Sequence, residues 1–305
     1  MKAETRLGPE LALLALLALL WGSSYLFTKV AVEQIPPLTL VAIRVSGAAL
    51  FLTIVLALRH EKLPRDGRTW RRLLVQAFVN SIAAWTLLAW GQQHVDAGLA
   101  SVLNSTSPIF VFLFTALITR HEAVSGRKFA GALIGICGVC LIVGLDALKG
   151  LGTQVTGQLA CLLGAAFYGV AAIYGKRFSH ISATATAAGT MLWATAIIAP
   201  AALLIDRPWS LRPEPEAILA ALALSILCTG IALLLYFRLM RTIGSLGVAS
   251  QAYLRAGIGV MLGMLFLGER ITPSVALGLF AAILGVALIN WPQKKREPPA
   301  QADGS

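Results

Sequence analysis

Charged side chains are scarce in this chain. Asp, Glu, Lys and Arg make up 13% of its 305 residues, against 57% hydrophobic, where soluble proteins carry about 25% charge. So few polar groups cannot cover a water-facing globule of this length, which excludes a soluble enzyme and a disordered binding segment. Acids are the scarcer sign: 14 Asp+Glu stand against 25 Lys+Arg, leaving a net charge of +11. The basic residues fall in short runs between long apolar stretches and not along one face, so no nucleic-acid partner is expected. Cysteine is also rare. Cys137, Cys140, Cys161 and Cys228 all lie inside apolar stretches, which excludes a secreted disulfide framework. Cys137 and Cys140 have redox spacing, but no strand pattern precedes them, and helix packing is the expected role. The four histidines (His60, His94, His121 and His180) fall at or near loops. No metal-ligand spacing occurs, and no nucleophile lies beside a base. Gly150-x-Gly152 lacks the Lys-Ser/Thr of a phosphate loop. Neither an enzyme nor a cofactor or metal site is expected.

What the chain has in quantity is long apolar runs, the mark of an integral membrane protein. A spanning helix needs about 20 mostly apolar residues. Ten segments qualify: 11–32, 38–58, 73–91, 98–119, 128–145, 157–175, 184–204, 216–237, 245–267 and 273–291. Their length and Leu/Ala content predict helices, since barrel strands would alternate over about ten residues. Lys2 and Arg6 before the Leu11–Leu20 run imitate a secretory signal. The uncharged stretch nevertheless continues to Thr28 without a small-residue cleavage pattern, so a retained helix is expected. Loop Lys and Arg divide eighteen to four between the two sides, with Lys29, Arg44 and Arg255 inside spans. The positive-inside rule then places both termini in the cytoplasm and the chain in the plasma (cell inner) membrane as a multi-pass protein.

Shifting the chain by 147 residues aligns it with itself. Trp21-Gly22 falls on Tyr168-Gly169, Lys29 on Lys176, Asn104 on Gln251, Glu122 on Glu269, Gly131 on Gly278 and Gly138 on Gly285. Apolar identities arise by chance in such helices, but the Lys, Glu and Gly coincidences at one offset predict a duplicated five-helix unit. The expected units are residues 11–145 and 156–291, followed by a disordered cytoplasmic tail at 292–305. Five is odd, so the second unit must enter the membrane from the other side. Such inverted repeats place a site at mid-membrane between the halves and expose it alternately to each side. The fold class expected is therefore all-α, with ten transmembrane helices in two inverted five-helix repeats.

Several short motifs carry a family resemblance. Leu20-Trp21-Gly22-Ser23-Ser24-Tyr25 opens the first span; Pro36-Pro37 and Arg44 follow in the second. Ala100-Ser101-Val102-Leu103 leads through Pro108 to Glu122, and Leu265-Phe266-Leu267-Gly268-Glu269-Arg270-Ile271-Thr272-Pro273 closes the ninth span before Gly278 and Gly285. In this order they resemble the EamA family of the drug/metabolite transporter superfamily, over about residues 11–291. The resemblance implies ten helices, two inverted halves and movement of small metabolites, without fixing the solute. Arg255 stands where that family often has a second-half proline matching Pro108, which leaves open whether the ninth helix bends as the fourth should.

Polar groups within a bilayer usually face a cavity or a partner helix. Trp21, Ser24, Tyr25 and Thr28 share one helical face; so do Ser101, Asn104, Ser105 and Pro108, and Gln251 with Arg255. These stripes predict a substrate pathway of Trp21, Ser24, Tyr25, Asn104, Pro108, Tyr168, Gln251, Tyr253 and Arg255, the aromatics stacking on solute. Interhelical hydrogen bonding is the alternative reading, most of all for the serines. Arg255 lies about 15 Å along its span, near mid-bilayer, and no Asp or Glu lies deep in any span. Two roles fit: gripping a solute carboxylate with its fork, or bonding backbone carbonyls. Arg44 reads as a snorkelling or bracing residue and Lys29 as a snorkelling one. Pro108 frees the carbonyl of Asn104 for a cavity lining. The absence of a deep acid predicts facilitated diffusion, or coupling through something other than a buried carboxyl. The function expected is a transporter of a small amino-acid-like, anionic or aromatic metabolite; a membrane scaffold or a membrane-embedded enzyme is the alternative. The expected partners are that solute and the lipid bilayer, and the oligomeric state is open.

Overall fold

The computed structural model describes residues 7–114, 126–143, 153–178, 180–242 and 251–290. Among these there are helices and turns but no strand. The rods are α1 (Leu7–Val32) and α2 (Pro37–Leu58); α3, which runs from Gly67–Ala77 through a π turn at Phe78–Ala83 into Ala84–Gly91; and α4, which is Ala97–Asn104 and, after a break, Ser107–Phe114. Then come α5 (Gly126–Val143), α6 (Thr153–Gly175) and α7 (Ala183–Ile205). The rod α8 runs from Pro215–Ser225 through a second π turn, Ile226–Ile231, into Ala232–Thr242. Last are α9 (Gln251–Leu267) and α10 (Pro273–Asn290).

The starts and stops have local causes. Pro37 and Pro215 occupy first-turn positions, where the missing N–H costs nothing. Asp66 caps α3, its carboxylate accepting from the Thr69 amide at 2.7 Å. That hydrogen bond holds the Asp66 carboxyl below its ordinary range. Ser182 caps α7 in the same way, at 3.1 Å from the Ala185 amide. Gly268, at φ +65°, stops α9.

Among the described residues seven helices are long and apolar enough to cross a membrane, and shorter apolar helices occur at Phe129–Gly138, Leu254–Leu267 and Ala276–Gly285. Large apolar side chains cover the outside as well as the core, and several polar ones are buried. Leu50, Leu58, Leu204, Phe266 and Phe280 are exposed, while Gln92, Ser101, Asn104, Thr106 and Thr229 are buried. That distribution suits a hydrocarbon solvent.

In the bundle α2 packs on α7, α5 on α10, and α4 on α9; α1 lies against α8 and α9, and α6 against α3 and α4. Glycines allow the closest approaches. A Cβ at Gly285 would sit 2.5 Å from the Gly131 carbonyl oxygen and 2.6 Å from the Gly135 nitrogen; one at Gly138 would meet the Ala282 nitrogen at 2.6 Å. On α9 a Cβ at Gly259 would run into Ser101, whereas Gly257 faces open space.

Candidate functional site: two arginines among aromatics within the bundle

The site is built from the middle turns of several rods. Arg44 is the eighth residue of α2, about 10 Å from its start. Its Nε donates to Thr229 Oγ1 at 2.9 Å, and its guanidinium carbon stands 4.0 Å from the centroid of the Trp85 ring, a cation–π contact. Thr229 is available because the π turn of α8 carries it. Its hydroxyl donates to the Leu224 carbonyl five residues back at 2.8 Å, and its lone pair is left for Arg44. Trp85 follows the π turn of α3 and donates its ring N–H to the Tyr168 hydroxyl of α6. Tyr168 lies close enough to both Arg44 and Arg255 to interact with each electrostatically.

A second set adjoins the first. Asn104 bonds its side-chain nitrogen to the Tyr25 hydroxyl. Gln92 donates to the Tyr25 carbonyl at 2.8 Å, tying α1 to the end of α3. Asn104 Oδ1, Gln251 Oε1 and Arg255 Nε are buried without a partner. The backbone of Arg255 is closely packed: its carbonyl accepts from Ser101 Oγ at 3.4 Å, and a Cβ at Gly22 would come within 3.2 Å of it.

Of the residues singled out in the sequence, Tyr25 and Asn104 meet directly, and Tyr168 joins Trp85 beside the arginines. Trp21 lies elsewhere, its ring 5.4 Å from that of Tyr236, in an apolar cluster with Leu14, Leu17 and Leu239. Ser24 is satisfied within its own helix, donating to the Trp21 carbonyl at 2.7 Å. Gln251 opens the described part of α9, and the side chain of Tyr253 falls outside the described residues. The helix breaks at Ser105–Thr106, just before Pro108, while α9 runs unbroken past Arg255. The Asn104 carbonyl that Pro108 releases is taken by the Ser107 hydroxyl, so it is not left over for a cavity.

Two basic residues make contacts that the sequence did not reveal. The Lys29 ammonium caps backbone, donating to the Gln92 carbonyl at 2.9 Å and the Val95 carbonyl at 3.1 Å. Arg44 does more than brace α1, since its contacts are with α3 and α8. Thr229 escaped notice in the sequence; its only signal is a Thr-Gly pair in the middle of an apolar run. Among the described residues no three His, Cys, Asp or Glu side chains gather in a metal-like cluster.

Comparison with known proteins places this arrangement. The family model for EamA-like transporters matches residues 9–144 and again residues 155–291. The uncharacterized transporter YoaV of Bacillus subtilis (strain 168) is 24% identical over 280 residues, covering 92% of this chain and 96% of its own. The uncharacterized inner membrane transporter YedA of Escherichia coli (strain K12) is 25% identical, over 98% of each chain. A solved crystal structure, 20% identical, superposes with a TM-score of 0.66 over 92% of this chain and 96% of that one, a likeness of fold alone.

Proposed function

Because the chain belongs to the EamA-like transporter family, we propose that it carries a small anionic metabolite across the cell's inner membrane by alternating access. The observation that carries this reading is Arg255. Its Nε is buried without a partner, and its guanidinium acts on Tyr168. Among the described residues it has no carboxylate partner. An arginine at mid-depth costs at least about 2.5–3.5 kcal/mol on insertion scales, and a solute carboxylate binding its fork would offset that. The proposed pathway is Tyr25, Asn104, Pro108, Tyr168, Gln251 and Arg255, with Trp21, Ser24 and Tyr253 flanking it.

The same reading has ten rods crossing the bilayer as two inverted units, residues 11–145 and 156–291, with both termini and the 292–305 tail in the cytoplasm. Its support is in the packing. Exchanging α1–α5 for α6–α10 maps α2–α7, α4–α9 and α5–α10 onto themselves, α1 with α9 onto α6 with α4, and α3 with α6 onto α8 with α1. The π turns of α3 and α8 are exchanged as well. Rocking one unit on the other would expose the region between them to each side in turn. Without a deep acid, movement follows the solute gradient.

Two measurements test this. Purified protein in liposomes should catalyse counterflow of labelled carboxylates, and Arg255→Ala should cut the rate at least about tenfold, with Arg255→Lys only partly restoring it. Wild-type rates in both variants would end the anion reading. Tags inserted at 121 and 270 should be reached from opposite sides of the membrane; the same side for both would overturn the inverted architecture.

A further inference from the structure

We propose that the protein binds an amine-bearing phospholipid at one end of the bundle, in a cavity between α2, α3 and α7, with Asp206 receiving the ammonium and Arg207 the phosphate. The inference needs only that the chain lies in a membrane and is independent of the solute carried.

The cavity has a volume of about 340 Å³ and is lined by Pro37, Leu38, Thr86, Leu87, Trp90 and Asp206. That is within the range of about 300–1,000 Å³ usual for ligand sites. It lies where three rods end: α2 begins at Pro37, α3 stops at Gly91 and α7 stops at Ile205. In a spanning bundle that level is the membrane–water interface, where indole rings gather. Trp90 is exposed there, as is Trp209, three residues beyond Asp206.

The lining is apolar apart from three groups. Asp206 is its only charged residue. Its Oδ2 accepts from the Thr39 amide and from the Thr39 hydroxyl, each at 2.8 Å, which holds the carboxylate against the first turn of α2. Among the described residues Oδ1 has no donor, and no Lys or Arg pairs with this acid. A half-buried anion with one oxygen open favours a cationic donor. An ammonium supplies charge and hydrogen together, and an indole ring in the same lining attracts the same charge. The second group is that ring, Trp90. The third is the Thr86 hydroxyl, buried without a partner; an ester carbonyl of a glycerolipid would accept its hydrogen. Arg207 follows Asp206 in the chain, is exposed, and has no acid partner among the described residues. A headgroup with its ammonium on Asp206 therefore finds a guanidinium beside it for its phosphate. The acyl chains would continue over the exposed apolar side chains of α7, Leu204 and Ile205 among them. A soluble amine would leave those apolar surfaces uncovered, and an anionic lipid without the amine would meet Asp206 as a like charge.

The test titrates delipidated full-length protein in detergent and counts bound lipid by native mass spectrometry. Phosphatidylethanolamine should bind with a Kd at least about tenfold below that of phosphatidylglycerol with the same chains, a factor that one charge-assisted hydrogen bond supplies. Glycerophosphoethanolamine, the headgroup without chains, should not displace it. Asp206→Asn keeps an acceptor for Thr39 and removes the charge; it should bring the two lipids to within about twofold. Arg207→Gln should weaken both lipids alike, and Leu87→Trp, which fills the cavity, should abolish the preference. Equal affinity of the wild-type protein for the two lipids would overturn the inference, as would an unchanged ratio in Asp206→Asn. Displacement by glycerophosphoethanolamine would assign the cavity to a soluble amine and overturn it as well. The wild-type titrations decide the matter even where a variant does not fold, and none of these outcomes alters the counterflow expected of Arg255.

Discussion

Replacing Glu269 with alanine is expected to unfasten one end of the bundle and raise labelling of a cysteine at position 99 by a membrane-impermeant thiol reagent at least about tenfold. Glu269 follows the turn that ends α9, and its carboxylate spans the gap to the first turn of α4. Oε1 accepts from the Ala97 amide at 2.6 Å and Oε2 from the Gly98 amide at 2.8 Å. The first amides of a helix have no partner within it, and the positive end of the helix dipole favours a negative charge there. The site has been cleared for the carboxylate: a Cβ at Gly98 would lie 3.1 Å from Oε2, and Gly263 leaves room on the other side. Loss of two charge-assisted hydrogen bonds, at about 1.5–3 kcal/mol each, costs about 3–6 kcal/mol, enough to shift a two-state equilibrium by more than tenfold. The rods released are α4 and α9, which bear Asn104, Gln251 and Arg255, so transport should change along with accessibility. Glu269→Gln, with one acceptor oxygen left, should fall between. Labelling at the wild-type rate in Glu269→Ala would show that this contact holds nothing closed.

The second large effect is expected at Gly285. Its notional Cβ meets the Gly131 carbonyl oxygen at 2.5 Å, the Gly135 nitrogen at 2.6 Å and the Gly135 Cα at 2.7 Å. All three are backbone atoms of α5, which cannot rotate aside. In lipid no hydrophobic force draws helices together, and close packing over small residues supplies the contact instead. Gly285→Val should therefore push α10 off α5 and cost about 3 kcal/mol, the upper end for overpacking. In detergent the melting temperature should fall by roughly 6–12 °C. Gly257→Ala is the control: nothing lies within 4 Å of its notional Cβ, and its melting temperature should hold or rise slightly, since alanine favours the helix. Equal melting temperatures for Gly285→Val and Gly257→Ala would refute the packing argument.

The rods were legible because their causes are local. Leu/Ala runs of membrane length mark them, and Pro37, Pro215 and Pro273 mark where three begin. The glycines that join α5 to α10 were legible from their shared offset. The π turns were not: Asn80-Ser81 and Thr229-Gly230 are the only polar interruptions there, and residue type does not dictate an i→i+5 ladder. Arg44 is the eighth residue of α2, but its partners Trp85 and Thr229 come from α3 and α8, and no spacing within one helix reveals a contact between helices. The partners of Lys29 were hidden for the same reason. Its carbonyl partners lie more than sixty residues away, at the end of another rod. Asn104 and Tyr25, each on a polar stripe of its own helix in the sequence, meet directly in the structure.

The two π turns also bear on ancestry. Each is a helix that has accepted one surplus residue without losing its register with its neighbours. They occur at matching places in two stretches that fit a single family model. One insertion in a half-length forebear accounts for both, whereas two separate insertions would have to coincide. Were the two stretches copies of one half-length unit, the surplus residue would predate the copying, and an undoubled relative should carry it in its third helix.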